Sequence, residues 1–557
     1  MILDKIKIKI AEALNISEDD LVYPPNSDLG DFSWPLFKLS QEKKMSPVEI
    51  AEKIKEDLLD RDDLMNILEK IEIAGPYLNF FIKPNFLITE LLGNIFSRGR
   101  DYGQNSDGDG DLSIFEFSNV NTHKNFHIGH LRNISLGDSL CRLHRANGFN
   151  SYPVSYINDF GIHTAKAIWN YKKSHNPDLN KCYSETVKEI EENPDLLREI
   201  SKIMSDIEAC RGENYKVWRK TRKISLGEFN GIYKKLKIKF KKNYFESEVI
   251  DQGKEMVKHL IKKRVLRQSE GAIIADLEKY DLGVLPIIRS DGTALYPVAD
   301  LALAERKFKD FKKLKNSFVV VDVRQSLYFK QLFKVLSLLG YRQNFKHLSY
   351  DFITLPEGMM SSRSGNAISF YDLYEKVLDK LIIESKKRHP DWSDKKIKKN
   401  CELLTIAILK FEMLKVSPRK IITFSMEEAI KFDGFSALYI LYGLVRIKSI
   451  LKKSRFKLRG VKGVDFSNLK TDYEKKISLK LAKYSDIVKR AGDNFDPSEI
   501  AKYLFELFKL FSDYYQNVKV LSSEKDTKKA RLIFMGAIAL VAENALGLLG
   551  IDSLDEI

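Results

Sequence analysis

The sequence predicts an α/β protein: a central parallel sheet between an α+β N-terminal region and an all-helical C-terminal region. Three observations lead there. Strand-like and helix-like runs alternate from residue 111 to 390, the pattern of parallel strands joined by crossover helices. Helical periodicity alone fills residues 391–557, after the helix-breaking stretch His389-Pro390-Asp391. Residues 1–100 mix the two textures.

The elements follow in order. Ser46 followed by Pro47 starts a helix, and Ile50, Ile54 and Leu58 fall on one face of it. Tyr77–Ile82 is a short apolar stretch, and Gly103 to Gly110 reads as an exposed linker because Gly, Asn and Asp dominate it. Strands are expected at Leu112–Phe117, Tyr152–Ile157, Ala272–Leu277, Ser317–Val323 and His347–Leu355. A charged, helical insertion occupies about 165–250 and carries Arg219, Lys220, Arg222 and Lys223; it fits either a solvated face or an RNA contact. In the last region Leu504, Leu507, Phe508 and Phe511 mark one helix face, and Val541, Ala545 and Leu548 another.

The 557 residues carry a net charge of +15, which favours a polyanionic partner or reflects heavy lysine usage. Cys141, Cys182, Cys210 and Cys401 lie far apart and form no CxxC pair, which argues against a zinc ribbon or disulfide framework and for a reducing compartment, the cytoplasm. The N-terminus lacks the apolar run of a signal peptide. No window approaches the roughly 20 apolar residues that span a bilayer, so no membrane partner is expected.

The chemistry concentrates in Glu116-Phe117-Ser118-Asn119-Val120-Asn121-Thr122-His123-Lys124-Asn125-Phe126-His127-Ile128-Gly129-His130, where a strand gives way to a helix. In open α/β sheets ligands bind outside the carboxyl ends of strands. A helix N-terminus there offers free N–H groups to phosphate. His127 and His130 share a helical face, and Gly129 between them would let a flat group such as adenine approach the backbone. A His-x-x-His pair also serves in metal sites, but no further ligand follows at zincin spacing. Glu116 stands in the apolar run Ile114–Phe117, so it either pairs with a buried cation or faces solvent from an alternating strand.

This run, with Leu131-Arg132 after it, Leu136-Gly137-Asp138-Ser139-Leu140, and Tyr156-Ile157-Asn158-Asp159-Phe160-Gly161, resembles the arginyl-tRNA synthetases, and the similarity is collinear over most of the chain. The resemblance implies a Rossmann-like catalytic domain at 111–390, an additional tRNA-binding domain at 1–100 and a helical anticodon-binding domain at 391–557. It implies tRNA(Arg), L-arginine and ATP as substrates, with Mg²⁺ carried by the ATP and no zinc, and activation that depends on bound tRNA. A monomer is expected. His127 and His130 resemble the family pair at the triphosphate, with Gly129 between them and Lys124 adding charge.

The family's Lys-Met-Ser-Lys-Ser loop is degenerate here. Met359-Met360-Ser361-Ser362-Arg363 replaces both lysines, leaving Met360, Ser361, Ser362 and Arg363 as ATP contacts and Lys124 as the substitute cation. A guanidinium needs acids placed for bidentate pairing. Glu116, Tyr296 and Asp300 match that end of the arginine site, and Asn121 and Gln325 the amino-acid end. Tyr296 and Asp300 are four apart and share a face if a helix starts there. Tyr328 stands where relatives have His, and His163 where many have Gln. Gly30-Asp31-Phe32-Ser33 resembles the tRNA-contacting N-terminal domain, implicating Asp31 and Phe32; Tyr439, Tyr442 and Arg446 resemble the anticodon-binding surface, though core packing is an equal reading for the tyrosines. A cysteinyl-type class I enzyme would select substrate through a zinc thiolate site, and the scattered cysteines argue against it. A non-catalytic tRNA-binding relative would have lost Glu116, Asn121, Lys124, His127 and His130, all of which are present.

Overall fold

The protein is described here from a computed structural model covering residues 2–355, 358–359, 368–456, 461 and 463–557. The elements that build the central region are, in chain order, β1 (Leu112–Glu116), α1 (Ile128–Ala146), β2 (Asn150–Ile157), α2 (Gly212–Lys235), β3 (Lys242–Phe245), α3 (Glu246–Lys262), α4 (Tyr296–Asp310), β4 (Asn316–Asp322) and β5 (Asn344–Tyr350). The five strands form one all-parallel sheet in the order β5-β4-β1-β2-β3. The order reverses between β1 and β4, which opens a crevice at their carboxyl ends. Period-two alternation serves both faces of the sheet. Phe318 and Val320 pack into the core shared with the terminal regions. Val319 and Val321 pack into the core shared with the insertion.

Three strand expectations change. Ala272–Asp276 is a strand, but it lies in a separate antiparallel sheet with Arg267–Ser269 and Val284–Ile288. Its partner is the hairpin neighbour across Glu270-Gly271, both at positive φ, the geometry of a tight hairpin turn. The stretch 347–355 divides: its first part completes β5, while Ile353–Leu355 pairs in parallel with Ile422–Thr423. The fifth sheet strand is β3, inside the segment expected to be helical insertion. Only Tyr244 of its four residues is buried, so this edge strand carries almost no hydrophobic pattern.

The N-terminal region is α+β: strands Phe32–Pro35, Tyr77–Ile82 and Leu68–Ala74 form an antiparallel sheet, backed by helices that include Pro47–Leu59. Gly103 to Gly110 is docked rather than a free linker. A Cβ on Gly103 would meet Tyr484 Cε1 at 2.3 Å, and one on Gly108 would meet Phe149 Cγ at 2.4 Å. The C-terminal region is a helical bundle. Its last helix, Lys525–Leu548, is apolar and long enough to cross a bilayer by length and composition, contrary to the sequence expectation; 67% of that stretch is buried, so it serves as a core helix of the bundle.

Candidate active site

The crevice between β1 and β4 opens into a cavity of about 1100 Å³. Its walls bring together eight residues singled out from the sequence: Glu116, Asn121, His127, Gly129 and His130 from β1 through the start of α1, and Tyr296, Asp300 and Gln325 from α4 and the turn after β4.

His127 is the N-cap of α1. Its Nδ1 accepts the N–H of Gly129 at 3.1 Å, and the Nδ1 of His130 accepts the N–H of His127 at 3.2 Å. This reciprocal capping satisfies helix-end donors that would otherwise be orphaned. It also fixes the tautomer: each Nδ1 is an acceptor, so each Nε2 carries the proton and is a donor. The rings stack with centroids 3.8 Å apart. Burial, then the Lys124 charge, lowers the His127 pKa to about 4; burial also holds His130 well below the ordinary imidazole range. Two neutral imidazoles are thereby stacked without charge repulsion. Gly129 is required by the cap, because a Cβ there would meet His127 Cε1 at 2.9 Å. The space beside its backbone that the sequence left open for adenine is occupied by that ring. Gly137 has a packing role further along α1, where a Cβ would meet Phe117 Cγ at 2.2 Å.

At the other end of the cavity, α4 begins at Tyr296, as expected, and turns Tyr296, Asp300 and Lys307 toward the same space. Glu116 is buried and its carboxylate pairs with Lys307, which is also buried. Tyr328 donates its hydroxyl proton to Asp300. Burial, reinforced by Glu116, raises Asp300 to about 7. Glu246, the first residue of α3, is raised to about 8 by burial and then by Asp300 and Asp159. Two carboxyls are thus crowded together at the same end, neither with an ion-pair partner among the described residues.

Sequence reasoning missed Glu246, Lys307 and Arg132. Glu246 follows an edge strand that has no motif, and Lys307 follows Asp300 by two helical turns. Arg132 was quoted only as part of the motif. It is 1% exposed and donates to the carbonyls of Met413, Pro418 and Lys420, at 3.5, 3.2 and 3.0 Å. One guanidinium on α1 thereby holds the segment that leads into Ile422–Thr423, the strand paired with Ile353–Leu355.

Other expected residues lie elsewhere. Lys124 does not line the cavity; its ammonium lies 4.5 Å from the centre of the Tyr183 ring. Met360, Ser361, Ser362 and Arg363 fall outside the described residues. Asp31 and Phe32 are core residues, so neither presents a surface to RNA: Phe32 is 0% exposed, and buried Asp31 accepts the N–H of Ile82 at 2.7 Å. Tyr439 packs against Phe505, whereas Tyr442 is exposed and donates no anchor to the core. Arg446 lies over both Tyr442 and Tyr515, 4.8 and 4.5 Å from their ring centres. His163 is partly buried and its pKa is lowered to about 3, chiefly by burial.

The comparisons with known proteins agree along the whole chain. The model of the class I (R) tRNA synthetase catalytic domain matches residues 92–423. This chain belongs to the arginyl-tRNA synthetases. The family's N-terminal domain model matches residues 1–82, and the DALR anticodon-binding domain model matches 440–557. The arginine–tRNA ligase of Bdellovibrio bacteriovorus is 33% identical over 96% of this chain and 94% of its own length. That of Clostridium botulinum is 30% identical over 100% of this chain and 99% of its own length. The Thermus thermophilus arginyl-tRNA synthetase structure shares the fold with a TM-score of 0.80 at 23% identity, over 100% of both chains. The Plasmodium falciparum enzyme gives 0.78 at 21%, over 100% of this chain and 98% of that one.

Proposed function

We infer that the chain is an arginine–tRNA ligase that works in two steps. A carboxylate oxygen of L-arginine attacks the α-phosphorus of ATP, the bond to the β-phosphate oxygen breaks, and pyrophosphate leaves. A ribose hydroxyl at the 3′ end of tRNA(Arg) then attacks the arginyl carbonyl, and AMP leaves. The observation that carries this reading is the polarity of the cavity: fixed N–H donors at the α1 end and crowded acids at the α4 end.

The Nε2–H groups of His127 and His130 donate to phosphate as charge builds in the transition state, and the N-terminus of α1 adds its dipole. Positioning and electrostatics supply most catalysis in phosphoryl and nucleotidyl transfer. Lys124 is near enough to lower both histidines and supplies positive potential to the same end. Met360, Ser361, Ser362 and Arg363 complete the ATP site in this reading. Asp300 and Glu246 hold the guanidinium, with Tyr296 and Tyr328 around it, while Asn121 and Gln325 take the α-amino and carboxylate groups. Glu116, paired with Lys307, forms the floor of the pocket. Magnesium enters on the phosphates of ATP. tRNA(Arg) contacts units 1–100 and 391–557, with Tyr442 and Arg446 as an exposed aromatic and cationic pair in the latter. One chain supplies every residue of the cavity, consistent with a monomer. The four cysteines are free thiols, consistent with the cytoplasm.

Pyrophosphate exchange with each of the twenty amino acids, with and without tRNA, tests this. Exchange with arginine alone among them, followed by transfer to tRNA(Arg), is expected. Exchange with cysteine, or none under any condition, overturns it.

A further inference from the structure

A second cavity, of about 700 Å³, lies in a groove between α2 and α3, and the ligase reading leaves it unused. Its size is that of a small-ligand site. It stands back to back with the catalytic cavity. Asn158 lines the catalytic side of the wall, and Phe160 lines the groove. Asp159 between them is buried and holds the wall together: its carboxylate takes hydrogen bonds from Arg222 of α2 and from the N–H and hydroxyl of Ser247 of α3.

The two lips of the groove differ in charge. On α2, Tyr215, Arg219, Arg222, Lys223 and Leu226 recur at helical spacing and form one face. Tyr215 stacks on Trp218 at 5.4 Å, and Arg219 and Lys223 are exposed. On α3, Glu248 and Asp251 line the opposite lip, also exposed. Among the described residues none of these four charged side chains has an ion-pair partner. A fully basic groove would fit any polyanion. A basic, aromatic lip facing an acidic one fits a strand that presents phosphates on one side and amino donors on the other. Cytidine does so: its phosphate is anionic and its N4 amino group donates to carboxylates. Unpaired bases also stack on aromatic side chains.

Every tRNA ends in unpaired C-C-A, and the adenosine ribose must reach the catalytic cavity. We propose that the α2–α3 groove receives the unpaired cytidines that precede the terminal adenosine of tRNA, with phosphates on Arg219 and Lys223 and base amino groups on Glu248 and Asp251. This rests on the ligase reading. The insertion is then a guide that delivers the 3′ end across the Asp159 wall.

Cys210 lines the groove and is the exposed one of the four cysteines, so it is a built-in reporter. Maleimide labelling of the full chain is followed by mass spectrometry, with intact tRNA(Arg) or with tRNA(Arg) lacking its last three nucleotides. Intact tRNA slows labelling of Cys210 by about tenfold or more, and truncated tRNA leaves it unchanged. Equal protection by both, or by neither, overturns the proposal. Arg219→Ala and Lys223→Ala, both on the exposed lip, each raise the KM for tRNA by about tenfold in aminoacylation while the arginine and ATP KM values stay fixed. Glu248→Gln with Asp251→Asn reduces the preference of the enzyme for cytidine over uridine at the penultimate position; an unchanged preference contradicts the assignment. If the wild type transfers no arginine, the ligase reading has failed; if it transfers arginine and these variants do so equally well, only the groove assignment has failed.

Discussion

The two ends of the catalytic cavity hold their titratable groups in opposite ways. At the α1 end, His127 and His130 are bases kept neutral by burial and by backbone N–H groups that occupy their Nδ1 atoms. At the α4 end, Asp300 and Glu246 are acids pushed toward their neutral forms by burial and by each other. Each end is therefore near neutral when empty, and each becomes charged in the sense that its ligand favours. An anionic triphosphate favours protonation of imidazole, and a guanidinium favours ionisation of carboxyls. The cavity avoids buried, unpaired charge until a substrate supplies the partner.

The largest effect is expected at His127. His127→Asn keeps an effective N-cap, since Asn is among the best residues there, but removes the Nε2–H donor. Arginine-dependent pyrophosphate exchange should fall by about 10²–10³-fold, the usual cost of one transition-state donor, with thermal stability retained. A parallel loss of stability and activity would mean the cap, not the donor, carries the role. Asp300→Ala should raise the arginine KM by about 100-fold, equivalent to about 2.7 kcal/mol, and leave the ATP KM within about threefold. Equal effects on both would remove the distinction between the two ends. Gly129→Ala should lower exchange by about tenfold, although Ala favours helix by up to about 1 kcal/mol over Gly, because its Cβ displaces the His127 ring.

Smaller effects concern protons. Asp300 and Glu246 sit at about 7 and about 8 in the free protein, and bound guanidinium stabilises their ionised forms. The arginine KM should therefore be high below pH 7, fall by about tenfold or more through pH 7–8, and level off above. Tyr328→Phe removes a donor to the Asp300 carboxylate, so Asp300 moves further upward and the KM profile shifts to higher pH, with about a threefold rise at pH 7. A profile insensitive to this change would separate Tyr328 from the arginine end.

The two ends also differed in how far the sequence disclosed them. His127–His130 form a local motif at a strand-to-helix junction, and Tyr296 with Asp300 form a helical pair; both rest on spacing within one element and were legible. Glu246 was not, because it reaches Asp300 only through the packing of α3 on α4. The pairing of Glu116 with Lys307 joins residues 191 apart, and the sequence left Glu116 between a buried partner and solvent. Asp31 and Phe32 show the converse error: a short motif marked the right region but not the accessible side chains, since burial is decided by strands elsewhere in the N-terminal sheet. The α/β class was readable from alternation. Strand direction at Ala272–Asp276 was not counted, although the Glu270-Gly271 turn carried that signal.

The most direct measurement is the proton balance of arginine binding, by calorimetry at pH 7 in buffers of different ionisation enthalpy. Ionisation of Asp300 and Glu246 against the guanidinium predicts release of about one proton per arginine bound, lost in Asp300→Asn. A binding enthalpy that does not change with buffer would contradict the account, because the acids would then already be charged before the substrate arrives.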